Sequence, residues 1–194
     1  MPDVKHFDPE EVLEQVERLF WQRGATTGIA EVVAATGISR SSLYATFGGK
    51  RELYVQALRR YVERRSAPVL DALAADGRGL AAVEAFFDRL IASRCTGEHA
   101  RWGCLVTNAH AQAEGGDPEV RAVLDGHQAR LRAAFRAALE PGALRPGLDP
   151  DGAAELLTLL AYGVNLRSRA GAHPDDLRRG VSAALDSLRT EEHP

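Results

Sequence analysis

Residues 27–53 read Thr27-Gly28-Ile29-Ala30-Glu31-Val32-Val33-Ala34-Ala35-Thr36-Gly37-Ile38-Ser39-Arg40-Ser41-Ser42-Leu43-Tyr44-Ala45-Thr46-Phe47-Gly48-Gly49-Lys50-Arg51-Glu52-Leu53. Ile29, Val32 and Val33 recur at helical spacing and predict a short helix from Ile29 to about Thr36. Gly37-Ile38-Ser39 then forms a tight turn, in which Gly37 supplies a positive φ, Ile38 plugs the core and Ser39 caps the next helix. That helix spans about Arg40 to Phe47, with Leu43 and Phe47 facing inward. Two short helices joined by a brief glycine-containing turn make a helix-turn-helix.

Arg40, Ser41, Ser42, Tyr44 and Thr46 are left facing outward, and they carry the chemical argument. The exposed start of the second helix offers free N–H groups and a positive dipole, both suited to phosphate. An arginine reads a guanine edge bidentately or holds a phosphate, and hydroxyls serve base or backbone. Tyr44 adds an apolar body and a phenol. Gly48-Gly49-Lys50 starts a further helix, whose first amides with Lys50 make a second anion clamp. A solvated helical hairpin that binds no DNA is the competing reading of these polar residues.

Upstream, Asp8-Pro9-Glu10-Glu11 is a helix start, and Val12, Leu13, Val16, Leu19 and Phe20 follow on one face until Gly24. The net charge of −3 does not point to nucleic acid, but its distribution is uneven. Residues 1–65 hold 10 basic and 9 acidic side chains; the remainder holds 14 and 18. Arg40, Lys50 and Arg51 form a small basic footprint without acidic neighbours between 38 and 51. Met1-Pro2-Asp3-Val4-Lys5-His6 has no apolar signal region, and no apolar run approaches the roughly 20 residues of a membrane span. The expected compartment is the cytoplasm, where two cysteines make no disulfide framework.

As a set, Gly37-Ile38-Ser39, Leu43-Tyr44, Phe47 and Lys50-Arg51-Glu52-Leu53 resemble the DNA-binding domain of TetR/AcrR-type regulators, over about residues 8–60. The resemblance implies a recognition helix over Ser39–Phe47, phosphate contacts from Tyr44 and Lys50, and base-edge contacts from Arg40, Ser41 and Ser42. Thr27, Ser39 and Thr46 complete the expected DNA-binding set. The family often has aromatic or histidine residues where this chain has Ala45 and Thr46, so base preference there does not transfer. Also implied are a double-stranded operator, a homodimer, a small-molecule effector and repression as the usual mode.

The expected fold is all-α, with a helix-turn-helix domain and linking helix over 1–65 and an effector-binding and dimerisation bundle over 66–194. The fourth helix continues through Tyr54, Leu58 and Tyr61-Val62 to about Arg65; Pro68 and Gly77-Arg78-Gly79 break the chain. Leu80–Ser93, Trp102–Ala113, Pro118–Leu139, Asp151–Ser168 and Pro174–Leu188 read as a bundle of about five helices. By the resemblance, the last two pair with a partner's. The 151–168 helix is apolar all round, which fits either that interface or a central core helix.

Phe86, Phe87, Trp102 and Tyr162 are candidates to line a pocket for an apolar or aromatic molecule, with Asn108 orienting it, although such aromatics also serve as core. Gly103-Cys104-Leu105 resembles a segment of electrophile- or redox-sensing members of the family. Arg101 and a helix start at Gly103 would activate the Cys104 thiol, and plain core packing is the alternative. Cys95, His99, Cys104 and His110 lie close in sequence but fit no zinc spacing, so neither metal nor cofactor is expected. No G-x-S-x-G, phosphate loop, H-E-x-x-H or dinucleotide fingerprint supports an enzyme. A helical protein-interaction module or a small enzyme without DNA binding are the alternatives.

Overall fold

The structure, a computed structural model, describes residues 7–112, 116–139 and 144–189. Every regular element among them is helical. Asp8 accepts from the Glu10 amide at 2.8 Å and Pro9 opens α1 (Pro9–Arg23), which ends at Gly24. The helix-turn-helix follows as α2 (Ile29–Thr36) and α3 (Arg40–Phe47), and α4 (Lys50–Tyr61) supports it. Gly37 stands at φ 70° in the turn between α2 and α3, a left-handed conformation that a Cβ would disfavour. Val32, Leu43 and Phe47 point inward against α1 and α4, where Phe20 meets Tyr54 edge-on at 5.0 Å.

Pro68 does not break the chain as expected. The helix runs on from α4 through a π-helical turn (Val62–Ser66) into α5 (Ala67–Ala74), with Pro68 in the first turn of α5. The Ala67 amide bonds back five residues to the Val62 carbonyl. This wider turn comes just before a residue that has no N–H to give and that would crowd a regular helical carbonyl. With α5 added, the described residues of the C-terminal part form six helices where about five were expected. The others are α6 (Leu80–Cys95), α7 (Leu105–Ala111), α8 (Pro118–Ala138), α9 (Pro150–Arg169) and α10 (Pro174–Leu188). The helix expected from Trp102 to Ala113 starts later, because Arg101 and Gly103 both hold positive φ and delay it to Leu105. Residue 113 lies outside the described residues.

Two apolar cores fill the molecule. One joins α5, α6, α8, α9 and α10 around Phe86, Phe87 and Phe135. The other joins α1 to α4 with Cys104, Leu105, Val106 and Ala109 at α7, and with Val120 and Leu124 of α8. Helix α8 therefore serves both, its first turns with α1 to α4 and Leu131, Phe135 and Ala138 with the bundle.

Polar clasps reinforce this seam. Arg51 is paired with Asp117 and Glu119, and Arg59 reaches Glu119 at 3.1 Å. Arg169, in the last turn of α9, donates to the Gln22 carbonyl at 3.1 Å and the Trp102 carbonyl at 2.8 Å. The first of these places a cation at the negative end of α1.

Candidate nucleic-acid interface and ligand cavity

Helix α3 is short, and its burial pattern sorts its side chains. Arg40, Ser41 and Ala45 are exposed, Ser42 and Tyr44 half-buried, Leu43 and Phe47 buried. Ser39 caps the helix by accepting from the Ser42 amide at 3.2 Å, and its hydroxyl also lies 3.0 Å from Ser41 Oγ and 2.9 Å from Ser42 Oγ. Three hydroxyls thus converge at the positive end of a helix with no acidic residue in its first turn. The Arg40 guanidinium lies over the Tyr44 ring, 5.2 Å from its centre, so the two side chains present one cationic and aromatic surface.

Two residues of the expected contact set sit differently. Thr27 is buried, and its hydroxyl donates to the Gly24 carbonyl at 2.7 Å, closing the corner between α1 and α2. Thr46 lies three residues after Leu43, on the rim of the inward face, with its Oγ1 shielded from solvent and unpartnered. The anion clamp at α4 is also altered. The Glu52 carboxylate accepts from the Gly49 amide at 2.9 Å, and this carboxyl is held below its ordinary range by backbone hydrogen bonds and Arg51. Arg51 is turned away to Asp117. Lys50 is left half-exposed, and like Arg40 it forms no salt bridge among the described residues, although it lies within electrostatic reach of Glu31.

Behind the head lies a cavity of about 640 Å³, within the size range of small-molecule sites. It is walled by Trp21 of α1, Tyr61 of α4, Arg64 and Arg65 of the π turn, and residues of α5 to α9. Trp21 is the joint: its indole N–H donates to the Gly103 carbonyl at 2.9 Å, His99 stacks on it at 4.8 Å, and Arg65 and Arg94 lie over it at 5.2 and 5.5 Å. Burial pushes the His99 imidazole below its ordinary value, and burial beside His110 and Arg130 pushes His127 down to about 4. Neither His99 Nε2 nor His127 Nδ1 has a hydrogen-bond partner among the described residues.

Comparison with known proteins assigns this architecture. Residues 12–57 match the family of bacterial regulatory proteins, tetR family, and residues 79–184 match the tetracyclin repressor-like C-terminal domain. The chain belongs to the TetR family. It is 27% identical over 186 residues to the HTH-type transcriptional repressor ComR of Escherichia coli K12, covering 93% of this chain and 89% of that one. The HTH-type transcriptional regulator YezE of Bacillus subtilis 168 is 30% identical over 132 residues, 68% of each chain. Among solved structures, a cysteine mutant of the TetR family regulator CifR, complexed with 26-bp double-strand operator DNA, superposes with a TM-score of 0.82. It is 26% identical, and the match covers 97% of this chain and 99% of that one. This protein is accordingly a DNA-binding transcriptional regulator and not an enzyme.

Of the pocket residues expected from the regulator's sequence, Phe86 and Cys104 border the cavity. Phe87 instead stacks on Phe135 in the core. Trp102 packs edge-on against Trp21 and His99, and Tyr162 lies against His110, its hydroxyl without a partner. Asn108 is buried and its amide donates to the Trp102 carbonyl at 2.8 Å, leaving Oδ1 unpaired. Cys95, His99, Cys104 and His110 do not converge, and no three metal-ligating side chains are grouped among the described residues. Arg101 packs toward Gly171, and α7 begins after Cys104 rather than at Gly103.

Sequence reasoning missed Trp21, Tyr61, Arg65, Arg94, His127 and Asn165 as cavity residues. They come from six separate elements, α1, α4, the π turn, α6, α8 and α9. The one local signal was the pair of arginines at 64 and 65, on a helix that otherwise turns inward.

Proposed function

We propose that this regulator is a repressor that binds an approximately palindromic operator as a homodimer and is released when a small molecule fills the cavity. Residues 1–65 would read DNA and 66–194 would sense and dimerise, in the cytoplasm. Arg40, Ser41 and Ser42 would meet base edges, and Ser39, Tyr44 and Lys50 phosphates. Thr27 and Thr46 would shape this surface from behind.

The observation that carries the release mechanism is that Trp21 and Tyr61, core residues of the reading head, also form the cavity wall. An effector that prefers one arrangement of that wall shifts the population of head positions, and a two-half-site operator measures the spacing of the heads. Dimerisation is supported by α9, which buries Leu157, Ala161 and Val164 but leaves Leu156, Leu159 and Leu166 exposed. Apolar residues at that spacing along one face call for a covering partner. No helix among the described residues is long and apolar enough to cross a membrane.

Cys104 supports a second trigger, since its thiol borders the cavity. A thiol-alkylating agent would then release wild-type protein from DNA and leave a Cys104→Ser variant bound. A mobility-shift assay with the DNA upstream of the regulator's own gene tests the whole reading. A discrete complex that competes with its own site far better than with unrelated DNA is expected; equal competition overturns it.

A further inference from the structure

The cavity wall contains Arg64, Arg65, Arg89 and Arg94 and not one carboxylate. Arg65 is neutralised from behind by Glu17, at 2.5 Å. The other three form no salt bridge among the described residues, although Arg89 lies within electrostatic reach of the Asp76 carboxylate. Arg64 and Arg89 are exposed and hydrated, but Arg94 is half-buried. Its Nε donates to Asn165 Oδ1 at 2.8 Å and its Nη2 to the Tyr61 hydroxyl at 3.4 Å, which leaves the Nη1 donors without an acceptor among the described residues. Phe86 and Leu90 precede Arg94 on the same face of α6, and Leu70 of α5 and Leu131 of α8 add further apolar lining.

We infer that the effector is an amphipathic organic anion, with a carboxylate or equivalent oxyanion on Arg94 and an apolar or aromatic body against Phe86 and Leu131. This deepens the effector reading of the cavity and rests on it. The reason is desolvation. An apolar molecule filling the cavity would strip water from Arg94 and return nothing, and a neutral carbonyl would return only an uncharged hydrogen bond, which leaves the desolvated charge uncompensated. A carboxylate replaces that water with charge-assisted, bidentate hydrogen bonds. Arg64 and Arg89 at the surface draw anions toward the site. The neutral His127 ring, at the apolar end, repels neither part of such a ligand and offers an unpartnered nitrogen to a polar substituent.

The test uses full-length protein and matched probes, 2-naphthoate against 2-naphthamide and 4-phenylbutyrate against its amide, followed by titration calorimetry. At least one acid is expected to bind about tenfold or more tightly than its amide, and Arg94→Gln to erase most of that ratio. Wild-type acid binding should also weaken between about 0.05 and about 0.5 M salt while amide binding does not, a readout that survives if the variant folds poorly. Acid and amide binding equally, no acid binding below about 1 mM, or an unchanged ratio in a folded Arg94→Gln variant would each overturn the inference. Repeating the titrations with operator DNA present separates the two claims. An acid that binds free protein at Arg94 but leaves the DNA complex intact sinks the effector reading and spares the anion site.

Discussion

Arg65 Nε donates to Glu17 Oε1 at 2.5 Å, so a fully buried carboxylate on α1 grips the π-helical turn that walls the cavity. Arg60 reaches the other oxygen of the same carboxylate at 2.7 Å. Glu17→Ala removes the shared buried acceptor but leaves Arg60 with Glu14 at 2.9 Å and Arg65 with Glu14 at 4.0 Å. The cost should therefore be about 2 kcal/mol, below the roughly 3–5 kcal/mol of a fully stranded buried charge. Arg65→Ala costs less, because Glu17 keeps Arg60. Urea unfolding reads both; an equal or larger loss for Arg65→Ala contradicts the ranking.

Tyr44→Ala and Lys50→Ala should weaken binding to specific and unrelated DNA alike, through lost phosphate contacts. Arg40→Ala should cost about 1–3 kcal/mol more on the cognate site than elsewhere. Because Arg40 lies over Tyr44, the two changes should be non-additive in a double-mutant cycle. Equal losses on both DNAs would demote Arg40 to a backbone contact.

Thr27→Val leaves a buried carbonyl at Gly24 without its hydroxyl donor. A stability loss of about 1 kcal/mol is expected, with no change in the salt dependence of DNA binding. A shallower salt slope would restore Thr27 to the phosphate contacts.

Leu159 is 61% exposed on the apolar face of α9. Leu159→Arg should convert a dimer to a monomer in sedimentation at micromolar concentration and lower operator affinity steeply, because each chain carries one reading head. A variant that remains dimeric moves the interface away from this face.

His127 makes stability fall on the acid side. Its imidazole ordinarily titrates at 6.5 but in the folded chain stays neutral down to about 4, so between those values the unfolded chain binds the extra proton. Stability is complete above that window and declines as pH drops through it, by at most about 1.4 kcal/mol per pH unit. The half-buried His99 is shifted in the same direction. His127→Gln should flatten the melting-temperature profile from pH 6.5 to pH 4, whatever its effect at neutral pH.

The reading head was legible because its determinants are local. Gly37, Ser39, Leu43 and Phe47 act within a few residues of one another, and each does in the structure what its chemistry requires. Pro68 misled because proline reads as a break, whereas a π turn upstream lets the helix pass. Thr27 looked like a surface hydroxyl because nothing near it in sequence shows that the Gly24 carbonyl needs a donor. The cavity was the least legible part: Arg94 meets Asn165 across 71 residues, and Trp21 belongs to a helix that reads as pure reading head.

The core that Trp21, Tyr54 and Leu58 share with Leu105, Val106, Val120 and Leu124 bears on how such regulators can be recombined. A chimera cut after residue 65 would separate half of one interior from the other half, baring Trp21 and Tyr61 to water. The portable unit is discontinuous in the chain: α1 to α4 travel intact only if α7 and the opening turns of α8 go with them.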